Sequence, residues 1–246
     1  MTRFEHDSVV PLNDSALSKK EQVAEMFDDI AKKYDFLNRF LSAGTDVTWR
    51  KKALSHLKEI KPSSLLDVAT GTADVAILAH RILSPNKIVG IDISEGMLEI
   101  GRKKIKDIGL DEKISLIKGD SESIEFPDNS FDAVSVAFGV RNFQDLEKGL
   151  TEIKRVLKPG GMAILQIPQD LNREQTFADD TITDQKERAK LFGQYDHVRV
   201  YGRDYFDKLR SIGFRVVEED YTHKIAPQLV EKYCLAKGEI IPVCFK

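Results

Sequence analysis

The amino-acid sequence predicts a doubly wound α/β fold, in which a helical cap at the N-terminus precedes a mostly parallel, seven-stranded sheet. From residue 64 onward, short apolar runs typical of strands buried on both faces alternate with amphipathic helix patterns. A purely helical stretch, residues 18–61, comes before them. We therefore expect residues 1–61 to form a cap on the same domain whose sheet is built by residues 62–246.

The composition is that of a globular chain, with 41% hydrophobic and 31% charged residues among 246. Since 37 Lys and Arg oppose 40 Asp and Glu, the net charge is −3, and nucleic acid is not an expected partner. Cys234 and Cys244 lack zinc-site spacing, and no histidine pair has ligand spacing, so we expect no metal. Neither a signal peptide nor a membrane span is evident, which predicts a cytoplasmic protein.

The cap begins with a clear helix signal. Ser18 and Glu21 have the spacing of a capping box, and apolar residues follow at helical spacing as far as Tyr34. A second, short apolar run covers 36–41, and a third helix is expected from about residue 46 to Pro62.

The sheet region is predicted as a regular alternation that ends in a more irregular segment. A polar stretch, residues 170–195, is expected to be an insertion with one short helix near 184–192. The strands are expected at 65–69, 87–93, 113–118, 131–138, 162–168, 214–220 and 240–245, and the other helices at 74–83, 95–107, 143–157 and 203–211.

The turn after the first sheet strand carries the most informative motif. Asp67 ends the strand, and a small-residue turn with Gly71 and Thr72 leads into a helix, so the backbone can approach a ligand there. A dinucleotide fingerprint would need G-x-G-x-x-G, but Ala73 and Ala76 replace its second and third glycines. A carboxylate facing the ligand also suits an ammonium group better than a pyrophosphate. S-adenosylmethionine has that ammonium group and no phosphate.

Two further acidic residues follow the next two strands. Asp92 can accept both hydroxyls of a ribose, which holds for NAD and S-adenosylmethionine alike. Asp120 can accept from an adenine amino group while the amide of Ser121 donates to the ring. Each acid alone could merely cap a turn, but acids at three successive strand ends predict a nucleoside site.

Five segments between residues 18 and 161 carry a family resemblance: FDDIAKKYDFLNRFLSAGTDVTWRKK, LLDVATGTADVA, GIDISEGML, FPDNSFDAVSVAFGVRNF and RVLKPGG. They resemble the ubiquinone/menaquinone biosynthesis C-methyltransferases, which are class I S-adenosylmethionine-dependent enzymes with a Rossmann-like fold. The resemblance implies cofactor contacts at Thr72, Asp92, Asp120 and Ser121, and we expect a further contact at Met97. It also implies methylation of a ring carbon in demethylmenaquinol or a related polyprenyl quinol.

The resemblance stops after KPGG. Residues 162–177 and 191–214 are instead similar to the C-terminal part of small-molecule class I methyltransferases. A natural hybrid, a chimera and a designed sequence would each have this pattern. A small-molecule O- or N-methyltransferase and a non-catalytic S-adenosylmethionine-binding chimera therefore stay open as alternatives. The polar residues of segment 169–174 are expected to meet the acceptor, which predicts that cofactor binding survives while methylation of a polyprenyl quinol is weak or absent.

Candidate catalytic residues come from two places, and Tyr34 is a further candidate contact of the cofactor. Arg141 and Asn142 follow the fourth strand, where Arg141 can stabilise a quinol oxyanion and Asn142 can orient a hydroxyl; the alternative is that Asn142 is a helix N-cap. Asp74, at a helix N-terminus, is a candidate base acting through water. Tyr34 continues an apolar stripe, and its hydroxyl would reach the carboxylate of the cofactor if that helix covers the site.

Two basic runs, Arg50-Lys51-Lys52 and Arg102-Lys103-Lys104, are typical of solvated helix faces. The alternative interpretation is contact with anionic lipid headgroups, which would place the protein peripherally at the inner membrane face. The sequence makes no prediction of the oligomeric state.

Overall fold

A computed structural model of the chain describes residues 17–41, 45–179, 182, 184–192, 199–220 and 240–246. Helix α1 (Lys19–Leu41) begins at the predicted capping box, where Glu21 Oε2 accepts hydrogen bonds from the amide and the hydroxyl of Ser18, both at 2.7 Å. The prediction of a separate run over 36–41 was wrong. No glycine or proline lies between Tyr34 and Leu41, so α1 continues without a break.

Helix α2 (Thr45–His56) ends earlier than predicted and continues as a 3-10 helix, Leu57–Ile60. The chain then reverses at Lys61, whose φ of 43° is left-handed. The first strand of the sheet follows this turn.

The strands of the described residues are β1 (Ser64–Val68), β2 (Lys87–Asp92), β3 (Ile114–Lys118), β4 (Phe131–Ala137), β5 (Leu157–Gln166), β6 (Phe177–Ala178), β7 (Arg199–Val200), β8 (Arg215–Asp220) and β9 (Ile240–Phe245). Seven of them form the predicted sheet, in the order β3-β2-β1-β4-β5-β9-β8. Strands β1 to β5 pair in parallel, whereas β9 is antiparallel to both β5 and β8. A separate ribbon of β6 and β7 was not predicted, because each of these strands has only two residues.

Five further helices are α3 (Asp74–Leu83), α4 (Glu95–Asp107), α5 (Leu146–Val156), α6 (Gln185–Phe192) and α7 (Asp204–Ser211). Helix α5 starts later than predicted because Asp145 is its N-cap and accepts from the amide of Lys148 at 2.8 Å. Residues Gly139–Asn142 form a 3-10 helix before it, so the alternative of Asn142 as the N-cap is wrong.

Apolar residues fill both faces of the sheet. One core contains Leu150 and Ile153 from α5 and Leu209 from α7, and the other contains Leu54 from α2 and Leu98 from α4. Because both faces are covered, ligands can reach the sheet only at its ends. Among the helices of the described residues, we find none that is both apolar and long enough to cross a membrane.

Candidate active site

A cavity of about 760 Å³, including space open to solvent, lies at the carboxyl ends of the parallel strands, beside α1. Concave sites at this edge of an open α/β sheet are where such folds bind small molecules. Helix α1 contributes Val23, Phe27 and Tyr34, and the rings of the last two meet edge to face at 5.9 Å. Of the predicted site residues, those that line the cavity are Tyr34, Gly71, Asp92, Met97, Asp120, Ser121, Arg141 and Asn142.

The loop between β1 and α3 has an unusual backbone. Ala69, Gly71 and Ala73 all have a left-handed φ, of 54°, 55° and 67°. This conformation costs little at glycine but is strained at alanine, and such strain is typical of ligand sites. The loop is fixed to the end of β2, because the amide of Gly71 donates to Asp92 Oδ2 at 2.8 Å. Nothing in the residue types of Ala69 and Ala73 signals this conformation.

Asp92 is a buried acid of the cavity, with only 9% of its surface exposed. Its second oxygen, Oδ1, accepts from the amide of Ser94 at 2.9 Å. Burial raises the pKa of Asp92, and the backbone hydrogen bonds counteract this in part. Since each carboxylate oxygen has two lone-pair positions, Asp92 can still accept two ligand hydroxyls.

At the end of β3, Asp120 and Glu122 share one cation from α1. Lys20 Nζ lies 2.6 Å from Asp120 Oδ2 and 2.7 Å from Glu122 Oε2. Burial alone would lower the pKa of Lys20, but the hydrogen bonds to the two carboxylates outweigh it and raise the pKa above its ordinary value. The start of α1 is thus bound to the strand end where the adenine contacts were predicted.

Two further acids of α1 contact other strand-end loops. Asp28 Oδ1 accepts from Ser94 Oγ at 2.6 Å and from the amide of Gly96 at 2.9 Å, at the first turn of α4. Asp35 accepts from Thr72 Oγ1 at 2.5 Å and pairs with Lys104 at 2.8 Å. The sequence analysis missed both acids, since polar residues on an amphipathic helix are ordinarily solvated.

The expectation that Asp67 faces a ligand was wrong. This residue is 1% exposed and does not line the cavity, since its oxygens accept from Thr70 Oγ1 at 2.7 Å and Ser135 Oγ at 2.6 Å. Burial raises the pKa of Asp67 to about 6, although the two hydroxyls act in the opposite direction. Its visible role is to fix the turn that carries Thr70 against β4.

Thr72 and Asp74 do not line the cavity either. Thr72 donates to Asp35, and Asp74 pairs with Lys104 at 2.5 Å and with Arg50 at 3.4 Å. Arg50 and Lys104 belong to the two basic runs, so part of each run serves an ion-pair network between helices rather than a solvated face.

Arg141 and Asn142 lie on the 3-10 helix after β4 and line the same cavity as Asp92. This segment packs directly on the β1 loop: a Cβ added at Gly139 would lie 2.4 Å from the Cβ of Ala69. The chain enters the segment through Phe138, whose φ of 65° is left-handed. The predicted acceptor residues therefore lie beside the predicted cofactor residues.

This fold and the position of its cavity define the class I methyltransferase fold. The chain is similar over 97% of its length to the crystal structure of the [4+2]-cyclase SpnF, with a TM-score of 0.69, 18% identity and 99% of that chain covered. A structure described as a SAM dependent methyltransferase from Aquifex aeolicus has a TM-score of 0.55 and 19% identity, with 89% of this chain and 96% of that chain covered. Both likenesses confirm the predicted fold.

A model of the ubiE/COQ5 methyltransferase family matches residues 15–175, and the chain belongs to this family. The demethylmenaquinone methyltransferase of Bacteroides fragilis is 55% identical over 147 residues. That alignment covers 60% of this chain and 60% of the relative, so this chain matches less than two thirds of the length of the relative. The family predicted from the sequence is confirmed, and the match ends soon after the point where the resemblance was expected to stop.

Proposed function

We propose that this chain transfers a methyl group from S-adenosylmethionine to a ring carbon of demethylmenaquinol. One observation carries the proposal: among the residues that the structure describes, all those that line the cavity lie between Lys20 and Gln144, within the segment that matches the family model. The cavity is therefore built from the part of the chain that resembles quinol methyltransferases.

The residues of the cavity suit S-adenosylmethionine. Asp92 would bind the ribose hydroxyls, and Asp120 with the amide of Ser121 would bind the adenine edge. Met97, 1% exposed, offers an apolar contact for the adenine ring, and Tyr34 lines the cavity from α1. Ala73 replaces the second glycine of a dinucleotide fingerprint, which argues against a pyrophosphate.

When bound, S-adenosylmethionine supplies an electrophilic methyl group for in-line displacement. The protein then contributes chiefly position and exclusion of water. Arg141 would stabilise the quinol oxyanion, which enriches the neighbouring ring carbon in electrons, and Asn142 would orient the hydroxyl. Asp74 is paired with two cations away from the cavity, so we give it no part in this mechanism.

The small-molecule acceptor considered as an alternative depends on residues after 161. No described residue of that region lines the cavity, and this includes the polar segment 169–174 that was expected to meet the acceptor. The observed lining therefore favours the quinol.

The test is transfer of radiolabelled methyl from S-adenosylmethionine to demethylmenaquinol in detergent micelles, with soluble catechols and amines as competing acceptors. We expect labelled, C-methylated quinol, recovered as the quinone after oxidation by air during extraction, and loss of labelling in Arg141→Gln. Lys113→Gln, at an exposed lysine, is the matched control for the loss of one positive charge. Methylated catechol or amine without quinone product would contradict the quinol assignment, and cofactor binding without any product would contradict catalysis.

A further inference from the structure

Glu122 connects three parts of the cavity wall and was not singled out by the sequence. Its side chain is 4% exposed, although it is a charged residue in a loop. Oε1 accepts from the amide of Gln144 at 2.7 Å and from the amide of Asp145 at 2.9 Å, and Oε2 binds Lys20 Nζ at 2.7 Å. One carboxylate thus joins the turn after β3, the segment before α5 and helix α1.

Glu122 accepts hydrogen bonds from two amides, and these amides lie at the end of the segment that carries Arg141 and Asn142. They precede the first turn of α5, where amides have no partner within the helix and a carboxylate is favoured by the helix dipole. Glu122 therefore fixes this end of the segment, while the contact of Gly139 with Ala69 limits the other end. Between these two points lie the residues assigned to the acceptor.

The link to α1 has a second component. The amide of Lys20 donates to Gln144 Oε1 at 3.4 Å, while its ammonium group binds Glu122 and Asp120. A buried carboxylate that loses its cation, or amides that lose their carboxylate, would be left without compensation. The position of α1 and that of the 139–145 segment are consequently coupled through Glu122.

We propose that Glu122 is a positioning residue for methyl transfer, which holds α1 and the Arg141–Asn142 segment in register around the cavity. This inference rests on the proposed function and adds a residue that acts through its neighbours. Its oxygens are engaged by protein donors, so its effect should appear in the alignment of the acceptor and much less in the affinity for the cofactor.

Three variants distinguish the contact of Glu122 with the amides of Gln144 and Asp145 from its ion pair with Lys20 of α1. Glu122→Ala removes both, and Glu122→Gln keeps an oxygen for the amides of Gln144 and Asp145 but loses the ion pair. Lys20→Met removes the ion pairs of α1 with Glu122 and Asp120 and leaves Glu122 as the acceptor for the two amides. Glu125→Ala, an exposed glutamate in the same loop, is the matched control.

We expect Glu122→Ala to lower kcat about 100-fold, the effect of roughly 1 Å of misplacement, with acceptor KM and the Kd for S-adenosylhomocysteine within about threefold of wild type. Glu122→Gln should recover most of kcat. A loss of cofactor affinity that matches the loss of kcat, or no recovery in Glu122→Gln, would overturn the proposal.

Hydrogen exchange provides a measurement that needs no acceptor. With S-adenosylhomocysteine bound, Glu122→Ala should accelerate exchange in peptides covering 139–145 and α1, whereas Glu122→Gln and Lys20→Met should accelerate it only in α1. Unchanged exchange at 139–145 in Glu122→Ala would refute the positioning role. If the wild type fails to methylate demethylmenaquinol, the proposed function fails, and the exchange pattern still decides the role of Glu122.

Discussion

Asp67→Asn tests whether a buried carboxylate destabilises this fold at neutral pH. The pKa of Asp67 rises from 3.8 to about 6 in the folded chain because of burial. One pKa unit corresponds to about 1.36 kcal/mol. Ionised Asp67 therefore destabilises the folded state by roughly 3 kcal/mol relative to the protonated form. Between pH 3.8 and about 6 the folded state binds more protons, so this contribution lowers stability as pH rises through that window.

The Asp67→Asn variant removes the titratable carboxyl group, but it also removes one of the two oxygens that accept hydrogen bonds. Thr70 and Ser135 both donate to Asp67, and the amide oxygen can serve only one of them, at a cost of about 1 kcal/mol that does not depend on pH. We therefore expect Asp67→Asn to be about 0.5 kcal/mol less stable than wild type near pH 4 and about 2 kcal/mol more stable near pH 8.

Urea unfolding at pH 4, 5, 6, 7 and 8 would measure this crossover, with Asp111→Asn as a control for removing one negative charge at an exposed position. The informative quantity is the change with pH in the difference between variant and wild type, since the lost hydrogen bond only shifts the whole curve. A difference that is constant over this range, or that falls as pH rises, would refute the reasoning.

Three other changes test the remaining contacts. Asp92→Ala should weaken binding of S-adenosylhomocysteine by about 2 kcal/mol or more, because two hydrogen bonds to a charged group are lost; unchanged affinity in calorimetry would remove the ribose assignment. Gly139→Ala should destabilise the fold by about 1–3 kcal/mol in urea unfolding, since its Cβ would lie 2.4 Å from that of Ala69; wild-type stability would show that the β1 loop yields easily. Asp28→Ala should cost about 1 kcal/mol through the lost contacts with Ser94 and Gly96, and an unchanged unfolding midpoint would indicate that Ser94 alone caps α4.

The sheet was predictable because its strands are short apolar runs bounded by clear turn and helix signals. The positions of Asp92, Asp120 and Arg141 followed as well, since carboxyl ends of parallel strands meet at one edge. These inferences use only neighbours in sequence and one general rule of topology.

The orientation of individual side chains was harder to predict from the sequence. Asp67 bonds to Ser135, a partner 68 positions away, and no local pattern shows which way its carboxylate turns. Asp28 and Asp35 bind loops 66 and 37 positions away, where helical periodicity predicts only a polar face. Glu122 likewise depends on the amides of Gln144 and Asp145, which become its partners only once β4 has been placed.

The way α1 is attached constrains how the cavity can open. Its start, middle and end are each fastened to a different strand-end loop, through Lys20, Asp28 and Asp35. A flap with a single pivot would leave one of these attachments intact while the others part. A helix fastened at three points has no such pivot, so it must either detach as a unit or fray inward from one end. Detachment as a unit would break the contacts of Lys20, Asp28 and Asp35 together, so this route of opening would be cooperative and sensitive to ionic strength.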